Sequence, residues 1–309
     1  MGRVIVVVGS LNADLCVQVP RFPAPGETIS GHGFTVVPGG KGANQACAAG
    51  RLGGHVAMAG QVGADAQGAM LRDSLAGAGV DVRWVTVDPA AATGVAIIAV
   101  DASGENEIVL ASGANGTFTP ERLEKAEGAI RDARVVLLQL EIPMGTVLRA
   151  ARTARAAGVA VVLDPAPAVP VAGELLALAD YVTPNEGELA RLAGAAPGRE
   201  PGDRDIDAQA RTLLDRGCRR VIVKLGARGA RLVEAGRAQT WPGLAVHAVD
   251  TTAAGDAFNG ALAVALAEDR PLDAAIRFAN AAGALSVTRP GAQPSMPTRA
   301  EVEDLLRGH

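Results

Sequence analysis

The chain has 309 residues, of which 49% are hydrophobic and 20% charged, with a formal net charge of −4. That length allows one large α/β domain or two smaller ones with ample core, and the acidic balance excludes nucleic-acid binding through a basic surface. Cys16, Cys47, Cys218 and the scattered His residues lack the spacing of a disulfide framework or a metal site.

The first apolar run, residues 4–8, follows Met1-Gly2-Arg3 directly and is too short for a signal peptide or a membrane span. It reads as a buried strand, so a cytoplasmic protein with no membrane partner is expected. Gly9-Ser10-Leu11-Asn12-Ala13-Asp14 comes next. Asn12 and Asp14 alternate in strand register, so both side chains can point to one side. Runs 15–19 and 28–37 then flank a Pro-rich turn at 20–26. Pro38-Gly39-Gly40-Lys41-Gly42-Ala43-Asn44-Gln45 leads into a helical period at 43–52 that stops at Gly53. This segment is not a GxxxxGK[ST] phosphate loop, and no GxGxxG dinucleotide fingerprint follows the first strand. Gly39, Gly40 and Gly42 let the backbone approach a ligand closely, and Asn44 points back into the same space. Asn12, Asp14, Lys41, Asn44 and backbone N–H groups together suit a polyol.

A strand at 56–60 and a helix at 68–78 follow; then 93–100 and 108–112 flank the hairpin signal Asp101-Ala102-Ser103-Gly104. The four runs at 15–19, 28–37, 93–100 and 108–112 have no crossover helices between their partners. They predict a small antiparallel sheet that covers the active site as a lid and meets a second subunit in a homodimer. The division is then a lid of residues 11–37 and 93–113 on a core of residues 1–10, 38–92 and 114–309.

The remainder alternates. A helix is predicted at 121–130 behind Thr119 and Pro120, a strand at 135–140, a helix at 146–157, strands at 159–163 and 181–183, a helix at 206–216 and a strand at 221–224. Alternating apolar strands and helices predict an α/β fold with a doubly wound, mostly parallel sheet, whose ligands bind beyond the C-terminal strand ends. Asp164, Asn185, Gly226 and Asp250 fall at those ends. Glu141 closes one strand and is placed to bond a sugar hydroxyl, or else is a satisfied loop carboxylate. Asn185 and Glu188 share a face and suit phosphate or water-mediated Mg2+ binding, or else the cap of a helix. The turn Lys224-Leu225-Gly226-Ala227-Arg228-Gly229 suits nucleotide phosphate or ribose, or an ordinary hairpin. Thr298-Arg299-Ala300-Glu301 is a capping box opening a structural C-terminal helix.

The most informative segment is Asp250-Thr251-Thr252-Ala253-Ala254-Gly255-Asp256-Ala257-Phe258-Asn259-Gly260. A strand at 244–249 is predicted to feed it and a helix at 257–267 to follow. Ala253, Ala254 and Gly255 are too small to cover N–H groups that lack intrahelical partners, so the junction suits a phosphate. A carboxylate in an anion pocket is repelled by the anion. Asp256 makes sense there if it takes a proton from a hydroxyl that attacks phosphorus, in a phosphoryl transferase; taken alone, the segment also reads as a helix N-cap.

Taken in order, the 39–45 glycine segment, Asn185-x-x-Glu188 and the 250–260 segment resemble the ribokinase branch of the PfkB carbohydrate kinases. The resemblance spans essentially the whole chain and includes Asn12-x-Asp14, Pro165-Ala166-Pro167 and Gly291-Ala292-Gln293-Pro294-Ser295. It implies ATP-dependent phosphorylation of a sugar primary hydroxyl, at O5 for D-ribose. It implies Asp256 as base, an anion hole at Ala253, Ala254, Gly255 and Asp256, and sugar contacts at Asn12, Asp14, Gly40, Lys41, Gly42, Asn44 and Glu141. Asn185, Glu188, Lys224, Gly226, Gly229, Gly255 and Asn280 match nucleotide positions. Asp250, Thr252, Ser286, Arg289, Gly291 and Ser295 match the site of an activating monovalent cation, usually K+. Thr252 and Lys224 depart from better-known members, where an apolar residue and Thr are common. The alternatives are a kinase for 2-deoxyribose, fructose or a nucleoside such as adenosine, and a non-catalytic sugar-binding regulator.

Overall fold

The computed structural model describes residues 4–195 and 202–308. Its strands in chain order are β1 (Val4–Val8), β2 (Asn12–Gln18), β3 (His32–Gly39), β4 (His55–Gly63), β5 (Val80–Asp88), β6 (Gly94–Val100), β7 (Asn106–Ala111), β8 (Val135–Leu138), β9 (Ala160–Leu163), β10 (Tyr181–Val182), β11 (Arg220–Lys224), β12 (Ala230–Glu234) and β13 (Arg237–Trp241). Nine of them form one sheet in the order β13-β12-β11-β10-β9-β8-β1-β4-β5. Pairing is parallel from β11 to β5, and β12 and β13 add an antiparallel edge.

The continuous apolar strands have two buried faces to fill. Ile5 and Val7 of β1, with Leu137, Val162 and Ile222, pack against the helices Lys41–Arg51, Ala254–Ala267 and Leu272–Ser286. Val6 and Val8, with Val136, Leu138, Val161 and Leu163, pack against Met144–Ala156 and Asp203–Asp215. The chain winds one way from β1 to β4 and β5 and the other way from β8 to β11. The reversal leaves a crevice beyond the ends of β1 and β8, where a doubly wound sheet binds its ligands.

The second sheet has the order β3-β2-β6-β7. The expected hairpins β2–β3 and β6–β7 are antiparallel, but the central pair β2–β6 is parallel, so the small sheet is mixed. Hairpins joined through their first strands meet in parallel when both leave the large sheet in the same direction.

Three local expectations are corrected. Residues 244–249 form no strand: Pro242 has no N–H to extend the ladder, and the amides of Val249 and Asp250 bond to the Val287 carbonyl instead. The helix expected at 121–130 is broken into Pro120–Leu123, a 3-10 turn and Glu127–Arg131, and Thr119 gives no side-chain cap. The helix expected from residue 257 begins at Ala254. The capping box at Thr298 and Glu301 is present as read.

Candidate active site

The N-terminus of the Ala254–Ala267 helix opens into the crevice. Its N-cap residue, Ala253, holds the left-handed conformation (φ 57°, ψ 15°), and no side chain caps the end. A non-glycine residue reaches that region only at a cost of about 1–3 kcal/mol. The Ala254 amide turns onto the Thr251 carbonyl at 3.3 Å, leaving Gly255 and Asp256 to present the foremost amides of the helix. Gly255 also lies beside a cation, since a Cβ there would sit 3.2 Å from Lys224 Nζ.

Asp256 is buried in the first helical turn. Its Oδ2 accepts from Asn44 Nδ2 and its Oδ1 from Gln45 Nε2, both at 3.0 Å. Burial is the main cause that pushes its carboxyl up to about 6; Lys41 opposes it, Asp164 adds to it, and the two amides oppose it. A base near that value is ionised at neutral pH yet still able to take a proton. Gln45 Nε2 also donates to Asp164 Oδ2 at 2.9 Å, and Asp164 Oδ1 receives Lys224 Nζ at 2.9 Å.

Above this carboxylate the start of β2 and the end of β3 form a polar pocket. Asn12 is buried and Asp14 half-buried. A Cβ on Gly39 would lie 2.1 Å from Asp14 Oδ2, and Gly40 has φ +88° with a would-be Cβ 2.6 Å from the Asn12 amide nitrogen. Gly40 therefore needs glycine and a side chain at Gly39 would displace the Asp14 carboxylate, and this close approach brings Lys41, at the first position of its helix, against the pocket. Burial, then Glu141 and Asp256, push the Asp14 carboxyl up to about 7, while Lys41 opposes them. Burial alone would lower the Lys41 ammonium, but Asp256, Asp164, Glu141 and Glu188 carry it above its ordinary range. Glu141 accepts from Ser10 Oγ at 2.5 Å and from the Lys41 amide at 3.1 Å, so it also pins the helix start to the end of β1.

A cleft of about 750 Å³ runs from this pocket along the C-terminal strand ends. Lys41, Asp164, Lys224, Gly255 and Asp256 line one end, and Ala227, Leu244, Val246, Ala284 and Val287 the other. The irregular 244–249 segment thus supplies an apolar wall. Gly226, Gly229 and Asn280 border the cleft, and Asn280 donates to the Trp241 carbonyl at 3.3 Å. Asn185 and Glu188 also line it, but as a capping box: each side chain accepts the other's amide at 2.8 Å.

Three of the predicted cation positions, Asp250, Thr252 and Gly291, are joined by hydrogen bonds. Asp250 Oδ1 accepts the Thr252 amide at 2.9 Å and Oδ2 the Gly291 amide at 2.7 Å. Ser286 and Ser295 donate to the carbonyls of Gly283 and Ala292, and Arg289 ion-pairs with Glu301, which leaves its carbonyl as its available donor atom. Among the described residues no cluster of His, Cys, Asp and Glu has the makings of a metal site. A cation here would rest on oxygens of carbonyls, hydroxyls and Asp250, a hard donor set that these residues do supply.

Two contributors, Gln45 and Asn115, were given no role from the sequence, and Asp164 was placed only at a strand end. Asp164 and Gln45 carry the contacts to Asp256 and Lys224 described above. Asn115 clamps the root of β2: it exchanges hydrogen bonds with both backbone groups of Leu11 at 2.9 Å and donates to Asn12 Oδ1 at 2.7 Å. Asp164 and Gln45 were visible beside recognised motifs. Nothing in the sequence ties Asn115 to Asn12.

An uncapped helix end, a buried carboxylate and a polyol-sized polar pocket at the end of a nucleotide-sized cleft define a phosphotransferase with an alcohol acceptor. The chain belongs to the pfkB family of carbohydrate kinases, whose family model matches residues 3–299. It is 43% identical over 307 residues to the ribokinase of Haemophilus influenzae, covering 99% of each chain. It is 35% identical over 305 residues to the deoxyribokinase of Salmonella typhi, covering 98% of each. The structure of Arabidopsis thaliana ribokinase complexed with ribose and ATP matches it with a TM-score of 0.94 at 37% identity, over 99% of each chain.

Proposed function

We propose that the chain transfers the terminal phosphoryl group of MgATP to O5 of D-ribose, giving ribose 5-phosphate and ADP. The observation that carries this is the contact of Asp256, one residue beyond the Gly255 amide, with Asn44 of the polyol pocket. The acceptor hydroxyl gives its proton to Asp256 as its oxygen bonds to phosphorus and the bond from phosphorus to the ADP oxygen breaks. Amides of the anion hole at 253–256, foremost Gly255 and Asp256, stabilise the charge on the transferring group, and Lys41 and Lys224 add positive charge on the same side. Asn12, Asp14, Gly40, Lys41, Gly42, Asn44 and Glu141 hold the sugar. Asn185, Lys224, Gly226, Gly229 and Asn280 hold the nucleotide. Mg2+ uses few carboxylates and keeps several waters, which suits Glu188 at the cleft wall.

The sheet of β2, β3, β6 and β7 is read as a lid, with residues 11–37 and 93–113 moving on a core of 1–10, 38–92 and 114–309. Phe34, Val36, Ile97, Ile108, Val109 and Leu110 are exposed on it. That apolar surface supports a homodimer formed lid to lid. A monovalent cation, K+ in this reading, binds Asp250, Thr252 and the 286–295 segment and shapes the anion pocket without touching substrate. No helix among the described residues is long and apolar enough to cross a membrane, and the setting proposed is the cytoplasm.

The test is ATP consumption with D-ribose, 2-deoxyribose, D-fructose and adenosine, with the phosphorylated carbon assigned by NMR. Ribose is expected to give the highest kcat/KM, because Asn12 and Asp14 match adjacent hydroxyls and a site built for a hydroxyl rejects its deoxy analogue. Preference for 2-deoxyribose would overturn the substrate assignment, and no turnover with any of the four would overturn the sugar-kinase reading. Equal rates in K+, Na+ and Li+ would dismiss the cation.

A further inference from the structure

Two glutamines lie behind the reaction centre. Gln45 and Gln139 are both 0% exposed, and neither lines the cleft. A buried amide is costly unless its donors and acceptor are matched. Here the chemistry determines which way each amide faces. Ionised carboxylates only accept, so Gln45 turns Nε2 toward Asp256 Oδ1 (3.0 Å) and Asp164 Oδ2 (2.9 Å). Its Oε1 then requires a donor, which Gln139 Nε2 supplies at 2.7 Å. The consequence is carried by Gln139, whose Oε1 is buried without a partner. That oxygen presses on the turn after β1, where a Cβ on Gly9 would lie 2.0 Å from it. An apolar side chain of similar volume would fill the space without an orphaned oxygen, so packing alone does not call for this pair.

The two oxygens of Asp256 have different neighbours. Oδ2 faces Asn44 of the sugar pocket, and Oδ1 is held from the buried side by Gln45. We propose that Gln45, aligned by Gln139, is a positioning residue that anchors Oδ1 of Asp256 and so leaves Oδ2 to receive the proton of the sugar hydroxyl. This rests on the reading of Asp256 as the base. The groups facing that carboxylate are Lys41 from its helix, Asp14 from β2, and Asp164 after β9 with Lys224 behind it. Gln45 donates to both carboxylates at once, so it offsets the repulsion between Asp256 and Asp164. Removing it leaves burial and Asp164 to raise Asp256 further.

The experiment is the pH dependence of kcat at saturating ribose and MgATP for the wild type, Gln45→Leu, Gln139→Leu and Asp256→Asn, with thermal unfolding of each. Gln45→Leu is expected to lower kcat by roughly 10- to 100-fold, move its acidic limb up by about one pH unit, and change the ribose KM less than about 3-fold. Gln139→Leu is expected to move the limb the same way by less. Loss of stability or of kcat with an unmoved limb would overturn the inference and leave the glutamines as core polar groups. If Gln45→Leu does not fold, the Gln139→Leu profile decides alone, and an unmoved limb there overturns it. Asp256→Asn separates the two levels. Normal turnover in that variant sinks the base reading, whereas collapse there with an unmoved limb in the glutamine variants sinks only the positioning role.

Discussion

The helices Ala254–Ala267 and Arg299–Arg307 begin in opposite ways. Thr298 and Glu301 close the second with reciprocal side-chain bonds to the exposed amides, and Glu186–Leu192 is closed likewise by Asn185 and Glu188. The first has no side-chain cap, a left-handed Ala253 at its lip and foremost amides at the wall of the cleft. All three starts have the same shortage of partners for their first N–H groups. Where side chains meet that need, the end contributes stability; where small residues leave it unmet, a ligand can meet it. The box at Asn185 stands between these cases, because it borders the cleft while satisfying its own helix.

The comparison can be broken in order of effect. Asp256→Asn keeps the open helix end and removes only the base, so kcat is expected to fall by roughly 10²–10⁴ with a much smaller change in ribose affinity. Steady-state kinetics would refute the assignment by showing ordinary turnover. Ala253→Asp places a carboxylate at the open end, in a conformation that Asp tolerates better than most residues. Its charge competes with phosphate for the amides, and kcat/KM for ATP should fall about 10²-fold, the scale of losing one such donor. An unchanged value would show that phosphate binds elsewhere.

The next effect concerns stability against pH. Asp14 keeps its proton in the folded protein up to about 7, well above the ordinary 3.8. The stability linked to that proton is full below the ordinary value and is lost as pH rises through about 7. Asp14→Asn should therefore stabilise the substrate-free protein by roughly 1–2 kcal/mol at pH 8 and little at pH 4, while raising the ribose KM strongly. Equal unfolding temperatures of variant and wild type at pH 8 would count against that burial cost. The smallest change falls at the closed end. Thr298→Ala should cost about 1 kcal/mol of stability and leave kcat alone. A loss of turnover there would mean that the C-terminal helix is not purely structural.

Much of this was readable in advance. The β1 and β8 runs are apolar without interruption, and that marks strands buried on both faces. Ala253, Ala254 and Gly255 before Asp256 mark an open helix end, because small side chains cannot supply a cap. Residues 244–249 misled, since a β-branched apolar stretch has the same pattern whether it pairs in a sheet or lines a ligand cleft. The parallel β2–β6 pair was hidden because strand direction depends on how distant hairpins leave the core. Gln45 and Gln139 are separated by 94 positions, and their amide contact has no local trace.

Sequence alone determined the alternation of strands and helices, the glycines that admit Lys41 to the pocket, and the pairing of an uncapped helix end with an aspartate. These follow from local sterics, side-chain size and hydrophobic period, which act within a few residues. Tertiary structure alone decided that Asp164 and Gln45 gather at Asp256 with Lys224 behind Asp164, that Asn115 holds Asn12, and that burial raises the Asp14 and Asp256 carboxyls. Those outcomes depend on burial and on charges brought together across the crevice, and electrostatics in a low-dielectric interior responds to distance in space rather than to separation along the chain.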